Sequence, residues 1–211
     1  MTWNVPNILT IIRVLLVPVF VYFVLCDGSG ARLAALLIFS TACLTDYLDG
    51  RIARTYNQRS EFGKFADPLA DKLLVTAALV AFVFIPETAI PLWMVLLILA
   101  RETLITWLRI SALRRHESVE TSFMGKSKTA AQMITIVAVL ILLIARAYIS
   151  ENLDPTEPTA LAAPNAFWEC YAEGSFWGDV LDALPFALMA ITCFLTVYSG
   201  GVYLWVNRKL L

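Results

Sequence analysis

Six long apolar stretches, separated by shorter polar connections, restrict how this chain can fold more than any other feature. They run over residues 8–25, 32–45, 69–85, 91–113, 129–149 and 180–206. About 20 apolar residues form a helix long enough to cross the hydrocarbon core of a bilayer. The second stretch is shorter than this, so the polar residues that follow it must complete its helix. The sequence therefore predicts an all-α polytopic membrane protein with six transmembrane helices in a single domain, residues 1–211.

The basic residues predict the orientation of these helices, because lysine and arginine favour cytoplasmic connections. They are concentrated in the second connection, in the fourth connection and at the C-terminus, whereas the odd-numbered connections hold little more than Arg32 and Arg146. Both termini should therefore be cytoplasmic. The formal net charge is only -1, and we expect no nucleic-acid partner.

One connection, at about 150–179, differs from the others. It is long, it contains three prolines, and all of its charged residues are acidic. The predicted orientation puts it outside the cell. Since it contains no catalytic motif, we expect an outer surface element or one that faces another subunit.

Four aspartates lie at the polar ends of the second and third apolar stretches. Asp46 and Asp49 are three residues apart, and Asp67 and Asp71 are four apart, so each pair shares one face of a helix. Acidic side chains at membrane depth are costly, and by default they have a cation as partner. Ligand sets made only of carboxylates suit Mg²⁺ or Mn²⁺. These residues therefore predict a divalent-metal site at the cytoplasmic boundary.

Asp67 also has a structural interpretation, because Pro68 follows it. Proline is favoured at the first position of a helix, and the residue before it can then cap the helix N-terminus. Taken alone, Asp67 would be such a cap at the start of the third helix. Beside the other three aspartates, the metal-ligand interpretation is favoured.

Small and polar residues near the aspartates have both a binding and a structural interpretation. Gly50 and Ala53 would let a flat nucleotide lie against the second helix, although small residues also permit close helix packing. On the first helix, Asn7, Thr10 and Arg13 lie on roughly one side. Either this side faces the phosphates of a donor, or Arg13 snorkels back to the cytoplasmic interface. The sequence supports both alternatives equally.

Further cations lie towards the cytoplasmic ends of the fourth and fifth helices. For Arg109 we favour a role in lining a substrate cavity. Lys126 and Lys128 begin the fifth helix, where backbone N–H groups and cations together can bind an anion; alternatively, they enforce topology or meet anionic lipid. Arg101 and Glu102 lie deeper in the fourth helix, where we expect a mixed structural role in a buried polar network.

The aspartates belong to a longer pattern, D-x-x-D-G-x-x-A-R-x8-G-x-x-x-D-x-x-x-D. All eight fixed positions are filled, by Asp46, Asp49, Gly50, Ala53, Arg54, Gly63, Asp67 and Asp71. This pattern resembles the defining motif of the CDP-alcohol phosphotransferases. The resemblance implies a membrane enzyme that moves a phosphatidyl or related group from a CDP-linked donor to an alcohol.

Other segments resemble the phosphatidylglycerophosphate synthases, one branch of that family. They are residues 4–10 with Arg13, 62–72, 100–102, 108–109, and 125–129 with Gln132. The resemblance implies transfer of a phosphatidyl group from CDP-diacylglycerol to sn-glycerol 3-phosphate, with release of CMP, in phospholipid synthesis. It also implies a homodimer among membrane lipids, which we expect to be those of the bacterial inner membrane.

The resemblance and the charges together give each candidate residue a role. Asp71 is the candidate general base. Two divalent ions would be held by Asp46, Asp49, Asp67 and Asp71. CDP would be bound by Asn7, Thr10, Arg13, Asp49, Gly50, Ala53 and Arg54. The phosphate of the acceptor would be bound by Arg109, Lys126 and Lys128.

Three other functions would use similar groups. Another acceptor, such as inositol phosphate or phosphatidylglycerol, would leave the chemistry unchanged. An intramembrane prenyltransferase also binds pyrophosphate through aspartates and Mg²⁺, but its acidic clusters are usually far apart in sequence. A transporter would hold its acidic residues near the middle of the membrane, whereas these lie at one boundary. Phosphatidyl transfer to glycerol 3-phosphate is therefore favoured.

Overall fold

The computed structural model describes residues 5–55, 61–114, 124–152, 176–206 and 208, with side chains described over narrower ranges. The six α-helices are α1 Val5–Leu25, α2 Ser29–Thr55, α3 Glu61–Val83, α4 Leu92–Arg114, α5 Met124–Asn152 and α6 Phe176–Val206. A short 3-10 helix, Pro86–Thr88, lies between α3 and α4. These ranges contain no strand, which confirms the prediction of an all-α fold.

The outward surface of these helices is apolar. Trp205 is 71% exposed and Phe194 is 69% exposed, as expected where a helix bundle meets lipid. Within the described residues, α5 and α6 contain segments long and apolar enough to cross a membrane, Thr129–Glu151 and Asp182–Val206. Shorter apolar segments are Ile11–Leu25, Ser29–Thr45 and Lys72–Val83. These features indicate a membrane protein, and the crossing of all six helices stays a prediction.

Two helices, α1 and α5, organise the packing of the bundle. α1 packs against α2 and α3, and α5 packs against α2 and α6, while α4 lies mainly against α6. Between α1 and α2, the rings of Phe20 and Phe39 have centroids 5.7 Å apart. Other fully buried side chains include Leu79, Phe82, Ile98, Ile136 and Leu140. In a bilayer such contacts stabilise the bundle mainly through close van der Waals packing, because lipid tails are themselves apolar.

The second helix continues well beyond its apolar stretch. α2 ends at Thr55, so it carries Asp46 and Asp49 on one continuous helix, as the sequence predicted. It also runs through Gly50 without interruption. Glycine costs about 1 kcal/mol relative to alanine inside a helix, and the remaining residues of this 27-residue helix outweigh that cost.

The start of the third helix differs from the prediction. α3 begins at Glu61, so Pro68 lies inside the helix and Asp67 does not cap its N-terminus. The prediction of a helix start at Pro68 was therefore wrong. Proline inside a helix removes one backbone hydrogen bond, and membrane helices tolerate this loss because other groups can satisfy the freed carbonyl. A proline in a membrane helix therefore does not by itself mark the start of that helix.

Charged residues join four elements at the end of the bundle where α2 begins. Arg32 donates one hydrogen bond to the carbonyl of Leu143 on α5, at 3.1 Å. Its Nη2 lies 2.8 Å from Oε1 of Glu87 in the 3-10 helix. Burial raises the pKa of Glu87, but the hydrogen bond from Arg32 and the charges of Arg32 and Arg146 hold it below its usual range.

A second pair extends these contacts, and we call Arg32, Glu87, Arg146 and Asp182 the outer cluster. Arg146 on α5 donates to the backbone carbonyl of Glu87 at 2.7 Å, and its Nη2 lies 2.8 Å from Oδ1 of Asp182 on α6. Arg32 and Arg146 are the two basic residues that stand against the charge pattern of the odd-numbered connections. Since each lies beside a carboxylate, neither contributes an uncompensated positive charge at this end.

Glu151, near the end of α5, accepts hydrogen bonds from the turn between α1 and α2. Its Oε1 accepts a hydrogen bond from the backbone N–H of Ser29 at 2.6 Å, and its other carboxylate oxygen accepts from the Ser29 hydroxyl. Gly28 in this turn has a φ of 103°, a conformation that glycine adopts without a steric penalty. A β-carbon at residue 28 would also lie 3.2 Å from Oε1 of Glu151. Glycine therefore lets the end of α5 approach the start of α2.

Candidate active site

The two halves of the aspartate motif lie at the same end of the bundle. Residues 26–28 join α1 to α2, and residues 56–60 separate α2 from α3, so neighbouring helices in this set run in opposite directions. α2 and α3 both pack against α1. The end of α2, the start of α3 and the first half of α1 consequently lie at the same end of the protein, as the site requires.

Asp46 and Asp49 lie on α2, and Asp67 and Asp71 lie on α3. Helical spacing puts each pair on one face of its helix. The oxygen ligands that these residues offer fit a hard divalent cation such as Mg²⁺. The described side chains elsewhere in the protein contain no group of three or more potential metal ligands. The side chains of the four aspartates lie outside the described ones, so their ligand role stays a prediction.

Most of the predicted nucleotide-binding residues are located by their helices alone. Asn7 and Thr10 lie on α1, and Gly50, Ala53 and Arg54 lie on the last part of α2. Their side chains also fall outside the described ones. The structure therefore brings their helix segments to the motif end, and their contacts with a nucleotide stay predictions.

Arg13 is the exception, because its side chain is described. It is only 1% exposed and is among the largest fully buried side chains. A snorkelling arginine would extend its guanidinium to the interface, so that alternative was wrong. A buried guanidinium needs polar or charged groups around it. Arg13 thus faces the inside of the bundle, which supports the interpretation that it serves the donor.

The candidate cations for the acceptor lie on consecutive helices. Arg109 lies near the end of α4, and Lys126 and Lys128 lie in the first turns of α5. Thr106 on α4 contacts Lys72 beside the last motif aspartate, and the opposite end of α5 contacts the start of α2, so all three backbone positions belong to the same end as the aspartate motif. Their side chains lie outside the described ones, and their binding role stays a prediction.

Arg101 joins α4 to α6. Its Nη2 donates to the Ser199 hydroxyl at 2.9 Å. A β-carbon at residue 200 would lie 2.9 Å from Cγ of Arg101, so Gly200 provides the space in which the arginine lies. This contact supports the structural role predicted for Arg101. The small residues of α6 that accommodate it were not recognised from the sequence.

Two further bonds join α4 to its neighbours. The sequence predicted a polar network at Glu102 but not its partner, and it did not predict the bond from Lys72. Oε1 of Glu102 accepts a hydrogen bond from the side-chain amide of Gln132 on α5 at 2.9 Å. Lys72 on α3 donates to the Thr106 hydroxyl on α4 at 2.6 Å. The available signal was the presence of polar residues within apolar helices, since such residues usually find partners on neighbouring helices.

Comparison with known proteins agrees with this arrangement. The family model described as CDP-alcohol phosphatidyltransferase matches residues 3–198. Over 136 residues the chain is 43% identical to a Mycobacterium tuberculosis protein named probable phosphatidylglycerophosphate synthase, covering 63% of this chain and 64% of that protein. Two proteins are named CDP-diacylglycerol–glycerol-3-phosphate 3-phosphatidyltransferase. The one from Bacillus subtilis is 38% identical over 151 residues, covering 66% of this chain and 77% of the relative.

The second, from Escherichia coli strain K12, is 40% identical over 141 residues, which is 64% of this chain and 76% of the relative. The chain thus matches about two thirds to three quarters of the length of these relatives. The family match extends further, since it includes both halves of the aspartate motif and all or part of each of the six helices. This chain therefore belongs to the CDP-alcohol phosphatidyltransferase family.

Proposed function

We propose that this protein transfers a phosphatidyl group from CDP-diacylglycerol to sn-glycerol 3-phosphate, producing phosphatidylglycerophosphate and CMP in phospholipid synthesis. The observation that carries the proposal is the complete eight-residue motif on α2 and α3, which both pack against α1. The names of the relatives from Bacillus subtilis and Escherichia coli support the choice of donor and acceptor. Family membership also favours this chemistry over a prenyltransferase or a transporter.

The four aspartates would hold two divalent ions, Mg²⁺ or Mn²⁺. Their carboxylates come from two helices, and the motif offers no other acidic residue at its fixed positions. When bound, such ions supply positive charge that offsets the pyrophosphate and the charge that develops on departing CMP. The aspartates would hold these ions near the end of α2 and the start of α3.

Asp71 would act as the general base. It accepts the proton of the free primary hydroxyl of glycerol 3-phosphate as that oxygen attacks the phosphorus bonded to diacylglycerol. A new phosphorus–oxygen bond forms to glycerol 3-phosphate. The bond from the same phosphorus to the oxygen that bridges to CMP breaks, and CMP leaves with the electron pair.

Binding residues would keep donor and acceptor in line for this step. The CMP part of the donor would be held by Asn7, Thr10, Arg13, Asp49, Gly50, Ala53 and Arg54. The phosphate of the acceptor is doubly charged and would be held by Arg109, Lys126 and Lys128, because more than one cation stabilises such a group. The two diacylglycerol chains would stay among the membrane lipids.

For the whole chain, we propose one integral-membrane domain over residues 1–211. All six helices would cross the bacterial inner membrane, with both termini and the active site at the cytoplasmic side. The apolar outer surface supports this arrangement. The pairing of Arg32 and Arg146 with carboxylates also supports it, because it leaves little free positive charge at the other end. We further propose a homodimer, in which the connection at about 150–179 lies outside.

The test is release of CMP from CDP-diacylglycerol by the purified protein with Mg²⁺ or Mn²⁺. Glycerol 3-phosphate, inositol phosphate, serine and phosphatidylglycerol are compared side by side as acceptors. Release that depends on glycerol 3-phosphate is the expected result. Release with only another acceptor would replace the proposed acceptor, and no release from a folded, metal-loaded sample would overturn the proposed reaction.

A further inference from the structure

One turn of α4, from Glu102 to Thr106, is bonded to two other helices. On one side, Nζ of Lys72 on α3 donates to the Thr106 hydroxyl at 2.6 Å. That hydroxyl donates in turn to the backbone carbonyl of Glu102 at 2.7 Å. On the other side, Nε2 of Gln132 on α5 donates to Oε1 of Glu102 at 2.9 Å. We call these four residues the α4 junction.

The junction has two arms: the bond from Lys72 on α3 to Thr106, and the bond from Gln132 on α5 to Glu102. Each arm begins close to a residue of the candidate active site. Lys72 directly follows Asp71 on α3, and Gln132 follows Lys128 by four residues on α5. A helix rises about 1.5 Å per residue and turns once in about 3.6 residues. The bonded side chains therefore lie within about one turn of the predicted base and of one predicted acceptor-binding lysine. On α4 itself, Thr106 precedes Arg109 by three residues.

Helix packing alone does not determine how α4 lies relative to α5. The main neighbour of α4 is α6, and the main neighbours of α5 are α2 and α6. Gln132 is only 2% exposed, and a buried amide that lacks a partner is strongly disfavoured. The bond from Gln132 to Glu102 is consequently well suited to fix the separation between α4 and α5.

We propose that Glu102, Thr106 and Gln132 are positioning residues, which set the separation between Asp71 on α3 and the acceptor-binding cations of α4 and α5. This inference rests on the function proposed above. A displacement of about 1 Å between reacting groups can lower the rate about 100-fold. The arm from α5 should govern binding of the acceptor, because it leads to Lys128. The arm from α3 should govern turnover, because it leads to Asp71.

Two variants test the arms separately. Gln132→Leu removes the bond to α5, and we expect it to raise the KM for glycerol 3-phosphate about tenfold, with the KM for CDP-diacylglycerol changed less than about twofold. Thr106→Val removes the hydroxyl that joins α4 to α3 at nearly the same volume. We expect it to lower kcat about tenfold with smaller changes in both KM values.

Conservative variants should restore the bonds. Glu102→Gln retains a carbonyl oxygen that can accept from Gln132, and Thr106→Ser retains the hydroxyl. Thr106→Ser should have kinetic constants within about threefold of those of the unchanged protein, and Glu102→Gln should have a lower KM for the acceptor than Gln132→Leu. If each conservative variant is as impaired as the variant that lacks the bond, the bonds are not responsible and the proposal is overturned.

Thr135→Val is the matched control. The hydroxyls of Thr135 on α5 and Thr192 on α6 lie 2.6 Å apart, are buried, and do not bond to the junction. We expect this variant to unfold at a lower temperature in detergent with both KM values unchanged. If Gln132→Leu behaves in the same way, its bond only holds helices together, and the proposal is overturned.

A measurement of binding separates this inference from the proposed function. The unchanged protein is first assayed for CMP release and for stabilisation against thermal unfolding by each acceptor. If it uses only an acceptor other than glycerol 3-phosphate, the proposed function fails, and a selective loss of that acceptor's binding in Gln132→Leu would still support the junction. If no acceptor is used and none stabilises the protein, both proposals are overturned.

Discussion

The two ends of the helix bundle hold their charged residues in different ways. In the outer cluster, Arg32 lies 2.8 Å from Glu87, and Arg146 lies 2.8 Å from Asp182. At the motif end, the four aspartates lie on α2 and α3 beside basic residues such as Arg54, and further candidate cations lie on α1, α4 and α5. Charges that are paired locally hold elements together. At the motif end, the aspartates would be neutralised by divalent cations, and the candidate binding cations by the phosphate groups of the substrates.

The comparison gives the two ends different expected phenotypes. Substitutions at the motif end should change turnover or substrate binding and leave unfolding nearly unchanged. Substitutions in the outer cluster should lower stability and leave the kinetic constants nearly unchanged. A variant that shows the opposite behaviour would remove the distinction between a reactive end and a structural end.

Asp71→Asn should have the largest effect. The amide keeps the size of the side chain but cannot accept the proton of the acceptor hydroxyl, so we expect CMP release to fall at least about 100-fold. Binding of CDP-diacylglycerol, measured by calorimetry with the metal present, should change much less. Turnover close to that of the unchanged protein would refute the role of Asp71 as base.

Lys126→Ala should have the next largest effect. Loss of one charged hydrogen bond to a phosphate should raise the KM for glycerol 3-phosphate about tenfold or more, with little change in the KM for CDP-diacylglycerol. Lys209→Ala removes the same charge near the C-terminus and is the matched control. An increase confined to the donor KM would assign Lys126 to the nucleotide site instead.

Glu87→Gln should act on stability alone. It removes the carboxylate that lies beside the buried guanidinium of Arg32, and about a third of the Glu87 side chain is exposed. We therefore expect a loss of about 1–2 kcal/mol in the free energy of unfolding, measured in detergent. Asp27→Asn is the control, since Asp27 is fully exposed and lies 3.9 Å from Arg32. A selective change in KM would mean that the outer cluster reaches the active site.

Acidification should produce the smallest effect, again at the outer cluster. The pKa of Glu87 is lower in the folded protein than its usual value, so its stabilising contribution is present above about pH 4.3. That contribution is lost as the pH falls through the lower folded value. The stability difference between the unchanged protein and Glu87→Gln should therefore shrink below about pH 4.3. A difference that grows on acidification would reverse the sign of the proposed linkage.

The sequence was most informative where a physical requirement acts within one segment. The length of the apolar stretches predicted helices, and the spacing of Asp46 and Asp49 predicted one face of a continuous helix. Both follow from the geometry of a single helix, and α2 confirms them. The motif also identified the family, because eight fixed positions in one order leave little room for coincidence.

The sequence was less informative where the result depends on which helices meet. Because Arg13 lies near the start of α1, its side chain could either snorkel to the interface or point into the bundle. The burial of the side chain shows that it points inward. Gln132 and Glu102 are 30 residues apart, and their pairing could not be predicted before the packing of α4 and α5 was known. The preference of proline for the first turn of a helix predicted a helix start at Pro68, but α3 begins at Glu61 and continues through this residue.

The contact between Arg101 and Ser199 has a consequence for the order in which the protein is assembled. These residues are 98 positions apart, so the ribosome completes α4 and α5 before the hydroxyl of α6 exists. A charged residue within an apolar helix enters a bilayer less readily. The contact with Ser199 therefore becomes available to stabilise α4 only after α6 has been synthesised. Chains that stop after α5 lack this contact, and we expect membrane proteases to degrade them faster than the full chain.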